Sequence, residues 1–366
     1  IESCNQERNQ LAEAPERLDE GLKLRILGYQ TARHLAAIAV SPNAQLSIED
    51  LFKQTYGRPL PIPEQAHEGD KDYWADRLFA AEARLWGHQA WSKATRKLLQ
   101  SSPEEHPLAV QLFGDTPERL AEATAQVEEY GELIDLNLGC PVRKVIRSGA
   151  GSALLREPEK VARIVAAVRR ATKRPLTVKI RSGWDHDSVN FTDIARIAVE
   201  EGVDAITLHP RTRSQMFGGS ADWTQIKALK NAVSVPVIGS GDLFSAECIK
   251  TMFEQTGCDA VMIGRGGYGN PLSIHQALDQ LADKPETQPE PKEPFGIAKE
   301  QLRLWLETFG PQKTLGHMRK HLCWYVRGME KSSGFRSGIN QTRTIDEMST
   351  LLENFFSSSQ EVMPKD

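Results

Sequence analysis

The feature that most restricts the fold is a regular alternation of strand-like and helix-like segments from about Leu108 onward. The strand candidates, rich in Val, Ile and Leu, are LAVQLFG (108–114), LIDLNLGCP (133–141), LTVKIRSG (176–183), AITLHPRT (205–212), VPVIGSGD (235–242) and AVMIGRGG (260–267). Segments such as PERLAEATAQVEEYG, PEKVARIVAAVRRAT and FTDIARIAVEEG lie between them and have helical periodicity. Strands that alternate with helices of about 10–15 residues indicate βαβ units and a parallel sheet. The continuously apolar strands fit a sheet that is buried on both faces.

Polar or glycine residues end every one of these strand candidates. They are Gln111, Asn137 with Cys140, Lys179 with Arg181, His209 with Arg211, Gly241 with Asp242, and Gly264 with Arg265. The carboxyl ends of the strands of a (β/α)₈ barrel converge on one face, which carries the active site, so this pattern favours such a barrel. A doubly wound open sheet is the alternative, because it also binds ligands at the carboxyl ends of its strands.

The first hundred residues supply the remaining two strands of a barrel poorly. HLAAIAVSP (34–42) is the one strand candidate there, and an Ala-rich helix fits it equally well. Residues 57–72 have the composition of a loop, and residues 73–100 read as one or two helices. We therefore expect a TIM-type barrel that is incomplete or unusual at strands 1 and 2.

Composition divides the chain into four parts. We assign 1–88 to an atypical, largely helical segment, 89–281 to the barrel, 282–295 to a linker and 296–366 to a helical domain. The linker, ADKPETQPEPKEPF, is rich in Pro and Glu. The last part contains GIAKEQLRLWLETFG, TLGHMRKHLCWYVRGME and TIDEMSTLLENFF, three helices with apolar faces that suggest a small bundle.

Bulk properties exclude several classes of protein. The net charge of −4 does not indicate a nucleic-acid binder as a whole, although a local basic surface is compatible with it. The five cysteines (Cys4, Cys140, Cys248, Cys258 and Cys323) form no CxxC pair, which argues against a disulfide framework or a zinc site and for reduced thiols in a cytoplasm. No apolar run of about 18 residues and no signal peptide is visible, so we expect a cytoplasmic protein without membrane or metal.

Seven motifs, in order along the chain, resemble those of the bacterial, FMN-dependent tRNA-dihydrouridine synthases. They are VQLFG, DLNLGCP, GAGSALL, VKIRSGW, HPRTR, GSGD and IGRGGYGNP, and the resemblance runs from about residue 89 to 358. Members of that family begin with an APMAG-like turn, a TD-x-x-FR helix and a strand with a TEM-like end, none of which is found in 1–88. The resemblance implies a flavin-binding barrel followed by a helical tRNA-binding domain.

The resemblance also implies a role for Cys140. In the family, this thiol protonates C5 of a uracil while reduced flavin delivers hydride to C6, which makes 5,6-dihydrouridine, and NADPH reduces the FMN. A thiol at the tip of a strand-end loop can meet a substrate, and it is a suitable general acid when its pKa is near neutral. The alternative is a small buried apolar residue. Because Gly139 precedes it and Pro141 follows it, Cys140 lies in a turn, which favours the functional reading.

A flavin cradle is the second implied site. By resemblance, Lys179 lies beside the flavin ring near N1, His209 near the flavin, Gln111 at the ring edge, and Asn137 toward flavin or uracil. The same resemblance implies a phosphate-binding site after the last two strands, formed by Gly239, Ser240, Gly241, Asp242, Gly264 and Arg265. Glycines allow backbone amides to approach a phosphate, and barrels commonly bind phosphate at this place.

Cations on the substrate side form the third set. Arg181 and Arg211 are candidates for substrate contact, and a structural ion-pair role is the alternative for each. The segment 313–343 is basic and includes Lys313, Arg319, Lys320, Arg327 and Arg336, which we assign to tRNA phosphates. Core packing is the favoured role for Trp324 and Tyr325, which are interleaved with these cations.

Three functions are compatible with these patterns. The first is a monomeric tRNA-dihydrouridine synthase that uses FMN and NADPH and extrudes its target base. The second is another FMN barrel reductase, of the dihydroorotate dehydrogenase type, that acts on a small molecule. The third is a non-catalytic or degenerate tRNA-binding homologue, because the motifs of the first two strands are missing.

Overall fold

A computed structural model describes residues 81–82, 99, 107–270, 272–281 and 293–360 of the chain. Within them, seven parallel strands form one sheet whose spatial order is the order of the chain. The strands are β1 (Ala81–Glu82), β2 (Ala109–Phe113), β3 (Leu133–Asn137), β4 (Leu176–Arg181), β5 (Ala205–His209), β6 (Val237–Ser240) and β7 (Ala260–Met262).

Helices connect the successive strands. The helices of this part are α1 (Pro117–Val127), α2 (Arg143–Arg147), α3 (Pro158–Ala171), α4 (Phe191–Glu200), α5 (Thr224–Ala232), α6 (Ala246–Thr256) and α7 (Ser273–Leu281). Short 3₁₀ turns span Glu128–Tyr130, Gly151–Arg156, His186–Ser188 and Arg265–Gly267. Proline at the first turn of α1 and of α3 supplies a preset φ where the helix has no backbone hydrogen bond to lose.

The strand order decides between the two architectures that the sequence allowed. A doubly wound sheet reverses its strand order at a switch point, whereas the strands of a barrel follow one another in sequence. The order here is β1 to β7 without reversal, so the chain has the α/β architecture of a TIM-type barrel. All six strands predicted from Leu108 onward are confirmed.

The strand β1 corrects one expectation. We expected helix over residues 73–100, but Ala81 and Glu82 pair in parallel with Leu112 and Phe113 of β2. A short strand therefore precedes β2, although the sequence around Ala81 and Glu82 shows no strand pattern. The strand candidate HLAAIAVSP (34–42) lies outside the described residues.

The two faces of the strands carry different residues. On β4, Val178 and Ile180 belong to one hydrophobic cluster with residues of the surrounding helices, such as Ile164 of α3 and Ile194 of α4. Lys179 alternates with them and therefore lies on the opposite, inner face of the strand. The parallel register sets Lys179 beside Asn137 on one side and Thr207 on the other. Polar side chains are thus collected inside the barrel while apolar ones face the helices.

The C-terminal part forms a separate helical cluster. Its helices are α8 (Glu293–Tyr325), α9 (Ser332–Gln341) and α10 (Ile345–Gln360). The helix α8 is two helices joined at Gly310, whose φ of 72° and ψ of 171° interrupt it just before Pro311. Trp305, Met318 and Ile339 are among the side chains that form its apolar core. The expected bundle is confirmed, with two differences: α8 begins inside the predicted linker (282–295), and α9 was not predicted.

An aromatic stack joins this bundle to the barrel. Tyr268, which follows the 3₁₀ turn after β7, stacks on Trp324 of α8 with ring centroids 4.2 Å apart and planes 7° apart. At the adjacent Gly269, a Cβ atom would lie 2.4 Å from the backbone carbon of Trp324, so the two backbones approach closely. Tyr325 is buried in the bundle, which confirms the core role expected for it. No helix among the described residues is long and apolar enough to cross a membrane.

We predict that Ile206→Ala lowers the free energy of unfolding of the barrel by about 2–5 kcal/mol. Ile206 is fully buried in the main cluster, and its truncation leaves a cavity between β5 and the helices. The control Leu278→Ala removes the same kind of side chain from an exposed position of α7 and should change stability by about 0.5 kcal/mol or less. Urea unfolding of both variants measures the difference, and equal effects would contradict this assignment of the core.

Candidate functional site

The candidate site lies inside the barrel, at the carboxyl ends of β2 to β6. The register places Gln111, Asp135 and Thr177 opposite one another on three neighbouring strands. One layer further toward the carboxyl ends, Asn137 lies opposite Lys179. The predicted site residues of these strands are therefore brought together by strand pairing alone.

A chain of side-chain hydrogen bonds runs through these layers to Cys140. Gln111 donates from Nε2 to Asp135 Oδ2 (2.5 Å) and accepts at Oε1 from Asn137 Nδ2 (2.8 Å). Asn137 Oδ1 in turn accepts from the backbone amides of Gly139 (3.1 Å) and Cys140 (2.8 Å). The loop that carries the thiol is thus held by its own strand. Gln111 and Asn137, predicted to contact flavin or uracil, each keep only one amide hydrogen outside this chain of bonds.

Asp135 is the start of this chain, and we did not predict it. Its second oxygen accepts from Thr177 Oγ1 at 2.6 Å. Burial raises the pKa of this carboxyl to about 6, while its bonds to Thr177 and Gln111 and the charge of Lys179 act in the opposite direction. Its place two residues before Asn137 on the same strand was the available signal, because such residues share a face.

The Cys140 thiol is half-buried at the mouth of the barrel. Burial raises its pKa, and a backbone hydrogen bond from Val142 and the charges of Arg181 and Lys179 oppose that rise. Burial thus moves the pKa of this thiol away from the near-neutral value that best suits a general acid, and the two cations act against that shift. A protonated thiol beside two cations can donate a proton and then hold the resulting thiolate.

Lys179 provides a cation on the inner face that is not paired. Burial and then the charge of Arg181 lower its pKa to about 8, whereas Asp135 and Cys140 favour the charged form. Among the residues that the structure describes, its ammonium group has no hydrogen bond or ion pair. A cation enclosed in this way is matched to an anionic group of a ligand.

His209 is buried among cations. Burial, followed by the charges of Lys179, Arg181, Arg211 and Arg265, lowers its pKa far below the usual range, so the ring is neutral. Its Nε2 lies 3.3 Å from Nη1 of Arg211. Because arginine can only donate, we assign Nε2 as the acceptor and place the ring proton on Nδ1, which can donate to a ligand.

The two buried arginines hold loops, and their role in substrate contact stays a prediction. Arg181, 2% exposed, donates to the carbonyl oxygens of Gly139 (3.1 Å), Thr212 (2.9 Å) and Met216 (2.7 Å). Arg211, 1% exposed, makes a bidentate ion pair with Asp242 at 2.9 and 2.7 Å. The ion-pair alternative is therefore the one that the structure supports for Arg211, and Nε and Nη1 of Arg181 donate to backbone carbonyls.

Asp242 is likewise committed to protein partners. Besides Arg211 it accepts from the backbone amide of Ala221 at 2.7 Å and lies 3.5 Å from Nη2 of Arg265. Its pKa is lowered: burial raises it, and the Arg211, Ala221 and Arg265 interactions outweigh burial. Asp242 thus lies beside Arg265, whose guanidinium is partly exposed and lies 4.4 Å from the ring centroid of Phe217, and the cofactor role of Asp242 stays a prediction.

The other residues of the predicted phosphate-binding site divide into two groups. A Cβ at Gly239 would lie 2.5 Å from Met252 Sδ and 3.2 Å from Cys258 Sγ, so close packing of the outer helices accounts for this glycine. At Gly264 a Cβ would meet nothing within 4 Å, which leaves open space beside Arg265. Ser240 lies on the inner side at the end of β6, and the carbonyl of Gly241 accepts from Trp223 Nε1 at 3.0 Å.

These observations fit the binding of FMN by this site. The unpaired ammonium of Lys179 and the free Nδ1–H of His209 suit the electron-rich edge of a flavin, and Arg265 with the open space at Gly264 suits its phosphate. No group of three His, Cys, Asp or Glu side chains in the described part of the chain could hold a metal ion. The donors present are those of an anionic organic cofactor.

The cations predicted to contact tRNA lie on the helical bundle, and their exposure differs. Lys313, Arg327 and Arg336 are exposed. Arg319 is half-buried and donates to the carbonyl of Thr342, and Lys320 Nζ lies 5.0 Å from the ring centroid of Trp324. The first three are thus free to meet a polyanion, while Arg319 and Lys320 are partly used within the bundle.

The fold and this site together define a barrel with a half-buried thiol and a cluster of cations at the carboxyl ends of its strands. The model of the dihydrouridine synthase family matches residues 72–360. This match begins inside the segment 1–88 that the motifs left unassigned. The chain therefore belongs to the dihydrouridine synthase family.

Three curated relatives are similar in sequence to this chain over most of its length. It is 39% identical over 272 residues to tRNA-dihydrouridine synthase B of Pasteurella multocida, which covers 73% of this chain and 82% of that one. It is 38% identical over 284 residues to tRNA-dihydrouridine synthase B of Xanthomonas axonopodis pv. citri, covering 75% and 82% of the two chains. The protein of the same name from Pseudomonas aeruginosa is 36% identical over 286 residues, covering 77% and 85%.

We predict that Asp135→Asn makes the free energy of unfolding of the barrel less dependent on pH. Because the folded pKa of about 6 lies above the ordinary value of 3.8, this carboxyl stabilises the fold at low pH and loses that contribution as pH rises through 6. Relative to the variant, the wild type should lose about 2–3 kcal/mol of unfolding free energy between about pH 4 and pH 7. Urea unfolding at several pH values measures this, and a difference that stays constant with pH would contradict the buried carboxyl.

Proposed function

We propose that this protein is a tRNA-dihydrouridine synthase that uses FMN and takes its electrons from NADPH. It reduces the C5–C6 double bond of a uridine in tRNA. The observation that carries the proposal is the position of Cys140, whose backbone amide is bound by Asn137 at the strand ends that also carry Lys179, in a chain of this family.

The proton in this reaction comes from Cys140. Burial raises the pKa of the thiol, so Cys140 carries a proton to give, and the charges of Arg181 and Lys179 act in the opposite direction, toward the near-neutral pKa that suits a general acid. After it gives its proton to C5 of the uracil, the thiolate is stabilised by the charges of Lys179 and Arg181. Asn137 limits the motion of the donor by binding the amides of Gly139 and Cys140.

The cofactor would be held by the inner face of the barrel. When bound, reduced FMN supplies the hydride for C6 of the uracil. Lys179 and the Nδ1–H of His209 would bind the polar edge of its ring, and Arg265 with the backbone near Gly264 would bind its phosphate. The buried Arg211–Asp242 pair keeps Arg265 in place for this task.

The helical bundle supports tRNA as the substrate rather than a free small molecule. Lys313, Arg327 and Arg336 are exposed on it, and basic residues in such positions track phosphates. A barrel reductase for a small molecule has no need of this bundle. The relatives, named tRNA-dihydrouridine synthase B, favour the same substrate.

We predict that Lys179→Met lowers the flavin content of the purified protein. The substitution keeps an unbranched side chain but removes a cation of the inner face that has no partner among the described residues, and with it the group proposed to bind the electron-rich ring edge. The ratio of absorbance near 450 nm to that at 280 nm should fall several-fold. Lys227→Met, on the exposed face of α5, is the matched control and should retain its flavin. Protein without flavin in the wild type would favour the degenerate homologue.

We predict that Cys140→Ala abolishes the formation of dihydrouridine in unmodified tRNA but leaves the reduction of bound flavin by NADPH intact. The proton donor is lost, while the cofactor pocket keeps its cations. Cys248→Ala, at a half-buried cysteine of α6, is the control and should reduce tRNA at the wild-type rate. Single-turnover assays measure the two half-reactions separately, and unchanged tRNA turnover in Cys140→Ala would rule out this thiol as the acid.

A further inference from the structure

A groove on the rim of the barrel is not used by the site described above. It has a volume of about 490 Å³ and is lined by Leu155, Arg156, Pro158, Trp184, Asp185, Ser188 and Asn190. One wall is the end of the 3₁₀ turn Gly151–Arg156, and the other is the loop after β4. We call it the rim groove.

Trp184 in the rim groove lies against two guanidinium groups. Cζ of Arg156 is 5.0 Å and Cζ of Arg213 is 4.5 Å from the centroid of its ring. Within the described ranges neither arginine forms an ion pair, and Nε of Arg213 is buried without a hydrogen-bond partner. Two cations drawn to one indole without a carboxylate partner repel each other, and an anionic ligand would relieve that repulsion.

The groove also contains a buried acceptor with no partner. Oδ1 of Asn190 is inaccessible to solvent and accepts no hydrogen bond from the described residues, although its Nδ2 donates to the carbonyl of Leu155 at 2.7 Å. Asp185 is the only carboxylate of the lining, and it accepts from Ser188 Oγ at 2.6 Å within its own turn. The groove therefore offers a cation, an aromatic ring and hydrogen-bonding groups together.

Both walls of the rim groove continue directly from the catalytic segments. The amide of Ser152, in the first wall, donates to the carbonyl of Cys140 at 3.1 Å. The second wall follows Arg181, and its Trp184 carbonyl accepts from the amide of Ser214 at 3.0 Å. The rim groove is therefore formed by segments that adjoin the loop of Cys140 and the end of β4.

We propose that the rim groove binds a nucleotide of the tRNA next to the uridine that is reduced. A base packs on the exposed part of Trp184, and the adjoining phosphate lies between Arg156 and Arg213. This combination of stacking and cationic contact is the usual mode for single-stranded nucleic acid. The inference rests on the proposed function, because the ligand is the substrate tRNA.

The test measures binding of an unmodified tRNA transcript to the flavin-loaded protein over about 50–200 mM salt. Arg156→Gln should lower the slope of log Kd against log salt by about one, because one phosphate contact is lost. Trp184→Ala should raise Kd about fivefold or more, and Trp184→Phe should restore most of the affinity. Arg163→Gln, at an exposed arginine of α3 away from the groove, is the matched control and should behave as wild type.

Two outcomes would overturn the proposal. If the wild type binds tRNA and Arg156→Gln has the same salt slope as Arg163→Gln, the rim groove is not a nucleotide site, whatever Trp184→Ala does. If the wild type itself binds no tRNA, this inference and the proposed function both fail. Since Arg156 is exposed, its replacement should not affect folding, and flavin content checks this for every variant.

Discussion

The position of the thiol depends on one hydrogen-bonded chain that starts at a buried carboxylate. Asp135 fixes the amide of Gln111, Gln111 fixes Asn137, and Asn137 fixes the backbone of Cys140. Each of these hydrogen bonds either joins neighbouring strands of the parallel sheet or links a strand to the loop after it. The register of β2, β3 and β4 therefore determines the position of the loop at the mouth of the barrel. Apolar replacement of any member would leave its neighbours buried without partners, which costs more than the bond itself contributes.

The charge of the barrel mouth follows from the same inner face. Lys179, Arg181, Arg211 and Arg265 lie close enough to His209 to lower its pKa, and the carboxylates near them are Asp135 and Asp242. Asp242 is neutralised by Arg211, and Asp135 has a pKa near 6. The described part of the mouth therefore has a surplus of positive charge that is screened from water. A flavin with its phosphate, and the backbone of an RNA, are ligands of the matching sign.

Sequence patterns predicted the strands and the relative placement of the site well, and individual contacts poorly. The six strands were found because continuous apolar runs are typical of a sheet covered on both faces. Strand β1 was missed because Ala81 and Glu82 are too short a segment to have a period, and α9 was missed because glycine and serine make up half of it. For Arg181 and Arg211, position at a strand end was visible but depth of burial was not. The sequence could not show that their guanidinium groups end on backbone carbonyls and on Asp242.

The stack of Tyr268 on Trp324 limits how the barrel of one relative can be combined with the helical bundle of another. It joins the turn that bears Arg265 to helix α8, and the close approach at Gly269 leaves no room for another side chain there. A hybrid protein that takes its barrel from one relative and its bundle from another must therefore keep these three residues as a matched set. Where the set is split, the mismatched contact lies next to the turn that bears Arg265.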